Sequence, residues 1–133
     1  MTVMILDASS TVRIKIESLL LDMGYDGLDI QMYEDAGDAL EFFESNEVEL
    51  IFSSIEMEGV DGITFVDLIL RKKPDIVSKL FIVTSQINTE HIQDMKDAGA
   101  KRFIKKPVNE EAFTHLIASE IDKILYLASK KIN

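Results

Sequence analysis

Apolar runs of strand length alternate along this chain with segments whose apolar residues recur every three or four positions. The alternation predicts five strands, each followed by a helix. Because crossovers between parallel strands are right-handed and return to the same sheet, the pattern favours one parallel sheet with helices on both faces. The predicted strands are residues 2–7, 28–33, 48–53, 80–84 and 102–105.

The predicted helices are delimited by the residues that begin or end them. The first ends at Gly24, which easily adopts a left-handed C-cap conformation. The third, from about residue 62 to 73, must stop before Pro74, and the fourth, about 89–98, precedes Gly99. The fifth starts at the N-cap Asn109 and extends to about residue 131. The apolar faces of the first two helices comprise Val12, Ile16, Leu19, Leu20 and Met23, and Ala36, Ala39, Leu40 and Phe43.

The apolar content of the strands predicts their order. "VMIL", "LIF" and "LFIV" are continuous apolar runs, typical of central strands that are covered on both faces. "LDIQMY" alternates apolar with polar residues and "RFIK" is flanked by charge, so the second and fifth strands are expected at the edges. The predicted fold is therefore α/β, a doubly wound five-stranded sheet of order 2-1-3-4-5. Ligands bind such sheets beyond the carboxyl ends of the strands, here residues 7–10, 53–59, 84–86 and 105–107.

Length, charge and composition narrow the function classes. A chain of 133 residues fits one domain, residues 1–133. Its net charge of -10 repels nucleic acid. Without cysteine there is no thiol catalysis, and His91 and His115 alone do not make a zinc site. No apolar run suggests a membrane span or secretory signal, so we expect a cytoplasmic protein without membrane contact.

Four motifs follow the predicted strands in order: "MILDASSTVR", "SIEMEGVDG", "FIVTSQ" and "AGAKRFIKKPV". Together and at this spacing they resemble the receiver domain of bacterial response regulators over nearly the whole chain. In that family the first strand ends in two acids, the third continues into Asp-x-x-Met-Pro-x-x-Asp-Gly, the fourth ends in Thr or Ser, and Lys-Pro follows the fifth. The resemblance implies the flavodoxin-like receiver fold and a role in two-component, phosphorelay signalling.

Only some of the family's functional positions carry the family's residue type in this chain. Asp7 matches the first acid, but Ala8 occupies the place of the second. Thr84 and Lys106 match the family's hydroxyl and lysine, and Phe103 matches its switch aromatic. The resemblance thus implies a pocket at these positions that lacks one of its acids.

The largest departure lies in the motif after the third strand. Met57, Asp61 and Gly62 fix its register, which places Ser54 at the phosphoacceptor aspartate, and Glu58 replaces the usual proline. In the family, that aspartate attacks a phosphohistidine or a small phosphodonor while Mg²⁺ bridges the acids and the phosphoryl oxygens. A serine is a much weaker nucleophile unless a base activates it. We therefore expect a receiver-like module that is not phosphorylated on aspartate and is not an enzyme.

The charge of the pocket leads to the same expectation for metal. A complete family site has three carboxylates and one lysine, which give a local charge of about -2 that Mg²⁺ neutralises. Here Asp7 and Lys106 sum to about zero, so we expect no magnesium and no other cofactor. Our hypothesis is a direct Asp7–Lys106 pair with Thr84 and Ser54 nearby. The alternative reading is that these residues are relics which the fold tolerates.

Two other functions remain open at this point. Glu56, Glu58 or Ser54 could compensate for the missing aspartate and restore phosphorylation, and Glu56 turned inward beside Asp7 could restore a metal site. A function of another class is FMN binding, because "DASST" is a hydroxyl-rich loop after the first strand. That loop lacks glycine, and the chain has no tryptophan to stack on a flavin.

The expected partners are proteins. The resemblance implies a histidine kinase, another regulator or an output domain, and a partner face formed by the fourth helix, fifth strand and fifth helix, on or near which His91, Phe103 and His115 fall. The fifth helix is longer than a receiver requires, and Tyr126 and Leu127 lie off its apolar stripe, so it could form a homodimer or lead to an output domain. The stripe comprises Phe113, Leu116, Ile117, Ile121, Ile124, Leu125 and Ala128.

Overall fold

The computed structural model describes residues 1–55, 57, 61–85 and 89–132. Its five strands form one sheet in the order β2-β1-β3-β4-β5, with every neighbouring pair parallel. This confirms the predicted fold class and strand order. The strands are β1 Thr2–Leu6, β2 Asp29–Tyr33, β3 Leu50–Ser53, β4 Leu80–Thr84 and β5 Arg102–Lys105.

Helices connect the strands on both faces of the sheet. They are α1 Ser10–Asp22, α2 Ala36–Ser45, α3 Gly62–Lys72, α4 Thr89–Asp97 and α5 Glu110–Ile132. A short 3₁₀ helix, Pro74–Lys79, follows α3 and was not predicted from the sequence. Proline at its first position has the φ angle that a helical turn needs, so Pro74 ends α3 and also begins the next turn.

Side-chain caps fix where most helices begin. Asp35 accepts hydrogen bonds from Gly37 and Asp38, and Asp61 accepts one from Thr64. The Asn109 Oδ1 atom accepts the Ala112 N–H at 2.8 Å, which confirms the predicted N-cap of α5. These caps satisfy amide groups that have no partner inside the helix.

The core has one layer on each side of the sheet. β1, β3 and β4 are buried almost throughout, whereas β2 and β5 are largely half-exposed. One layer packs α1 and α5 against the sheet, and the other packs α2, α3 and α4 against it. The buried central strands and exposed edge strands confirm the interpretation of the apolar runs.

The structure corrects some predicted boundaries. β1 ends at Leu6, one residue earlier than predicted. The Asp7 N–H still donates a hydrogen bond to the Tyr33 carbonyl, and the chain leaves the sheet after it. β3 starts at Leu50 although Val48 is buried, since burial alone does not make Val48 part of the ladder. The predicted apolar stripe of α5 is only partly buried: Leu116 is 37% exposed, Leu125 is 44% exposed, and Ala128 is also exposed. The buried part is Phe113, Ile117, Ile121 and Ile124.

Within the described part of the chain, no helix combines the length and the apolar character that crossing a membrane requires.

Candidate functional site

The carboxyl ends of the central strands hold a small group of buried polar side chains. Asp7 follows β1, Ser54 follows β3, and Thr84 ends β4. All three are at most 7% exposed. Lys106 follows β5 and reaches into the group from the edge of the sheet. The topology therefore gathers four of the residues that the sequence had assigned to the pocket.

Asp7 and Lys106 form a direct ion pair. The Lys106 Nζ atom lies 2.7 Å from the Asp7 Oδ2 atom, as the pairing hypothesis requires. The other carboxylate oxygen, Oδ1, accepts the backbone N–H of Ser9 at 2.9 Å. Arg13 donates to the backbone carbonyl of Asp7 at 2.6 Å. Both carboxylate oxygens are therefore engaged by groups of the protein itself.

The surroundings of the pair strengthen it. The Asp7 side chain is 6% exposed and the Lys106 side chain is 20% exposed. Because water is largely excluded from one side, the attraction is stronger than in an exposed pair. The Lys106 N–H also bonds the Thr84 carbonyl at 2.9 Å, so the backbone that carries the ammonium group is fixed to β4.

Ser54 occupies a tightly packed backbone position. Its N–H donates to the Leu6 carbonyl at 2.9 Å, and its own carbonyl accepts the Ser53 hydroxyl at 3.1 Å. The chain then returns to α3 so closely that a Cβ atom on Gly62 would overlap the carbonyl oxygens of Ser54 and Ile55. Glycine at position 62 is thus required by the close approach of two backbones.

Among the pocket residues that the structure describes, Asp7 is the one that could offer Mg²⁺ a carboxylate. This ion binds proteins through one or two carboxylates that are free to coordinate it, and Asp7 is held by an ammonium and an amide. Ala8, in the place of the second acid, is exposed and carries no oxygen in its side chain. No group of three acidic, histidine or cysteine side chains suited to a metal occurs among the residues that the structure describes. Glu56 and Glu58, the predicted alternative ligands, lie outside those residues.

Comparison with known proteins decides the family. The model of the response regulator receiver domain matches residues 3–118. The chain belongs to the response regulator receiver domain family. Receivers are signalling modules of two-component systems, and they interact with histidine kinases or other signalling proteins. The family assignment covers every strand and all helices up to the first half of α5.

Individual relatives include both long and short proteins. A cyclic di-GMP phosphodiesterase of Thermotoga maritima is 31% identical over 125 residues, which are 91% of this chain and 32% of that protein. This receiver thus spans about a third of that relative's length. Chemotaxis protein CheY of Bacillus subtilis is 24% identical over 131 residues, 98% of this chain and 97% of its own.

A solved structure shows the same fold. The chemotaxis response regulator CheY4 of Vibrio cholerae has a TM-score of 0.75 with 23% identity, covering 90% of this chain and 97% of that one. Identity at this level supports the fold alone. The chemistry of the pocket has to be argued from the residues of this receiver.

The three residues predicted on or near the partner face lie on three elements: Phe103 on β5, His91 on α4 and His115 on α5. Phe103 on β5 is half-buried against the core, and the Lys96 ammonium of α4 lies 6.0 Å from the centre of its ring. His91 is half-buried on α4, whereas His115 is exposed on α5. None of these three side chains forms part of the Asp7–Lys106 pair.

Some residues of the site were not found from the sequence. Ser9 and Arg13 hold Asp7; both lie within the stretch "MILDASSTVR", but neither was assigned a role in the pocket from the sequence. Their nearness to the end of β1 was a weak signal, because a polar residue after a strand is common. Glu120 was also missed: it is 7% exposed inside α5 and pairs with Arg102 of β5 at 2.5 Å.

Proposed function

We propose that this receiver is not phosphorylated on aspartate and acts through protein–protein interaction. The observation that supports this most is the 2.7 Å ion pair between Lys106 and Asp7, at a pocket where Ser54 matches the family's phosphoacceptor position. Lysine neutralises the remaining carboxylate directly. The pocket therefore has no excess negative charge for a cation to balance.

The chemistry of Ser54 supports the same proposal. A serine hydroxyl attacks phosphorus slowly unless a neighbouring base removes its proton. Asp7, the acid that remains of the family's set, is engaged through both of its oxygens. The Ser54 hydroxyl would therefore have to compete with these two donors for a carboxylate oxygen of Asp7.

Without a phosphoryl group, a partner must set the state of the receiver. A protein with two conformations shifts only towards the one that its ligand binds more tightly. In this receiver the ligand would be a protein that contacts the face around Phe103. A histidine kinase, another regulator or an output domain fits this role.

Incubation with acetyl phosphate and Mg²⁺ followed by intact-mass spectrometry tests the proposal. We expect no gain of a phosphoryl mass. The double variant Ala8→Asp/Ser54→Asp is the matched control, because it restores three carboxylates around Lys106 and a local charge of about -2. That variant is expected to gain one phosphoryl group.

Phosphorylation of the unaltered receiver would contradict the proposal. Lability of the product in mild alkali would then indicate an acyl phosphate on a carboxylate, such as Glu56 or Glu58. A stable product that is lost in Ser54→Ala would indicate phosphoserine.

A further inference from the structure

Helix α5 extends beyond the residues that the family model matches. The family match ends at residue 118, whereas α5 continues to Ile132. These 14 additional residues add about 21 Å of helix. Leu125, Tyr126 and Leu127 are 44%, 59% and 55% exposed, so they do not pack on the sheet.

One face of α5 points away from the core along the length of the helix. Its residues alternate three and four positions apart, as a straight row on a helix requires, and all four are exposed: His115, Ser119, Asp122 and Tyr126. The buried residues, among them Ile117 and Ile121, lie on the opposite side. We call the row His115, Ser119, Asp122 and Tyr126 the outer row.

The surface along the outer row is open and carries two shallow depressions. One is lined by Glu110, Glu111, Thr114, His115 and Ala118. The other is lined by His115, Ala118, Ser119, Asp122, Lys123 and Tyr126. Near the middle of the helix, Ala118 and Ser119 are small, and small residues allow another helix to approach closely.

The ends of α5 carry opposite charges. Glu110 and Glu111 occupy the first turn, and Lys130 lies in the last part of the helix. The Lys130 ammonium is 4.9 Å from the centre of the Tyr126 ring, which places it beside the outer row. An antiparallel copy of the same helix can therefore present its Lys130 to Glu111 of this one.

We propose that a second copy of this chain docks antiparallel along the outer row. Pairing about a point between residues 120 and 121 places Glu111 opposite Lys130, His115 opposite Tyr126, and Ser119 opposite Asp122. Each contact then occurs twice, as the two-fold symmetry of an isologous dimer demands. In each pair one partner, Lys130, Tyr126 or Asp122, belongs to the segment beyond residue 118.

Charge selects a second copy in this orientation. The receiver carries -10 overall, so most approaches of two copies are repulsive. Along the outer row the acids are offset by Lys123 and Lys130, and antiparallel helix dipoles attract one another. A parallel arrangement would place Glu111 against Glu111. The proposal does not depend on whether the pocket is phosphorylated.

Sedimentation velocity over a concentration series tests the dimer through a charge exchange. Glu111→Lys and Lys130→Glu each convert both attractive pairs into repulsive ones, and each is expected to raise the dissociation constant about tenfold or more. The double variant Glu111→Lys/Lys130→Glu keeps the net charge and restores both pairs. We expect it to dimerise within about threefold of the unaltered chain.

Matched controls distinguish the loss of the Glu111–Lys130 contact from a change in the overall charge of the chain. Glu41→Lys changes the net charge as Glu111→Lys does but lies exposed on α2, on the other face of the sheet, and it should not weaken the dimer. Tyr126→Ser should weaken it, because it removes the largest apolar contact of the outer row.

Three results would overturn the proposal. The first is a monomer at every concentration, which would indicate that another protein or segment covers the row. The second is an effect of Glu111→Lys equal to that of Glu41→Lys. The third is a double variant as weak as the two single variants, which would exclude the antiparallel register.

Discussion

At the scale of single residues, the main feature of the pocket is one buried carboxylate whose negative charge must be balanced. Asp7 is 4% exposed, and a buried carboxylate without a partner is costly. Lys106 supplies the opposite charge at 2.7 Å, and Ser9 supplies an amide N–H to the other oxygen. Ser54, which we propose stands at the place of the family's nucleophile, adds no charge to this group. The Asp7–Lys106 pair is neutral, and we propose that it needs no ion from solution.

Replacement of Lys106 by methionine tests how much this pair stabilises the receiver. Methionine retains most of the side-chain volume but leaves Asp7 without its counter-charge, so we expect the free energy of unfolding to fall by about 1–3 kcal/mol. Lys105→Met is the matched control, because Lys105 is the neighbouring residue and is exposed. Urea unfolding of both variants measures the difference, and equal stabilities would indicate that the pair is a relic.

The residues of the pocket differ in how far the sequence predicts them. Asp7, Ser54, Thr84 and Lys106 could be placed together because each follows the carboxyl end of a strand, and parallel strands end at the same edge. The contacts of Asp7 with its near neighbours could not be predicted. They depend on the local backbone path after β1, which no periodicity encodes.

At the scale of elements, α5 is tied to the end of α1 by a hydrogen bond. The Tyr25 hydroxyl, just after α1, donates to the Asp122 carboxylate at 2.8 Å. Burial raises the pKa of Tyr25 above its ordinary value of 10.0, and the hydrogen bond and negative charge of Asp122 raise it further. Ionisation of Tyr25 is therefore harder in the folded receiver than in the unfolded chain.

This pKa difference predicts how stability changes in alkali. Below the ordinary pKa of 10.0 the tyrosine is protonated in both states, and its contribution to stability is complete. As the pH rises from there towards the raised pKa, only the unfolded chain loses the proton, so the free energy of unfolding falls. Tyr25→Phe should lose about 0.5–1 kcal/mol at neutral pH and then fall less steeply above pH 10.

Thermal unfolding of both forms across the alkaline range measures this effect. Tyr33, whose pKa is also raised by burial and by nearby Asp38 and Asp29, is present in both forms and cancels in the difference. Parallel pH profiles for the two forms would show that the Tyr25–Asp122 contact is absent in solution.

The elements themselves were largely predictable, and their ends were not. Central and edge strands followed from apolar runs, because burial on both faces demands continuous apolar side chains. The point at which the buried stripe of α5 ends could not be predicted, because periodicity records which face of a helix is apolar and says nothing about where the sheet stops. Leu125 continues the period of Ile121, yet it lies past the surface that buries its neighbour.

At the scale of the whole molecule, the chain has the receiver fold, and we propose that the chemistry of the family's pocket is altered. The sheet has the strand order 2-1-3-4-5, and the family model matches residues 3–118, so the fold and the family assignment point to the same kind of domain. The negative charge of -10 suits contact with proteins better than contact with nucleic acid. As the surface that a partner contacts, we propose the face of α4, β5 and α5.

The most direct test of the central claim is a titration of the isotopically labelled receiver with Mg²⁺. NMR spectra recorded during the titration monitor the amide resonances of Asp7, Ser54, Thr84 and Lys106. The account predicts no saturable shift in these resonances, because Lys106 already neutralises Asp7. The Ala8→Asp/Ser54→Asp variant should show saturable shifts under the same conditions. Saturable shifts of these four amides in the unaltered receiver would show a functional metal site and contradict the account.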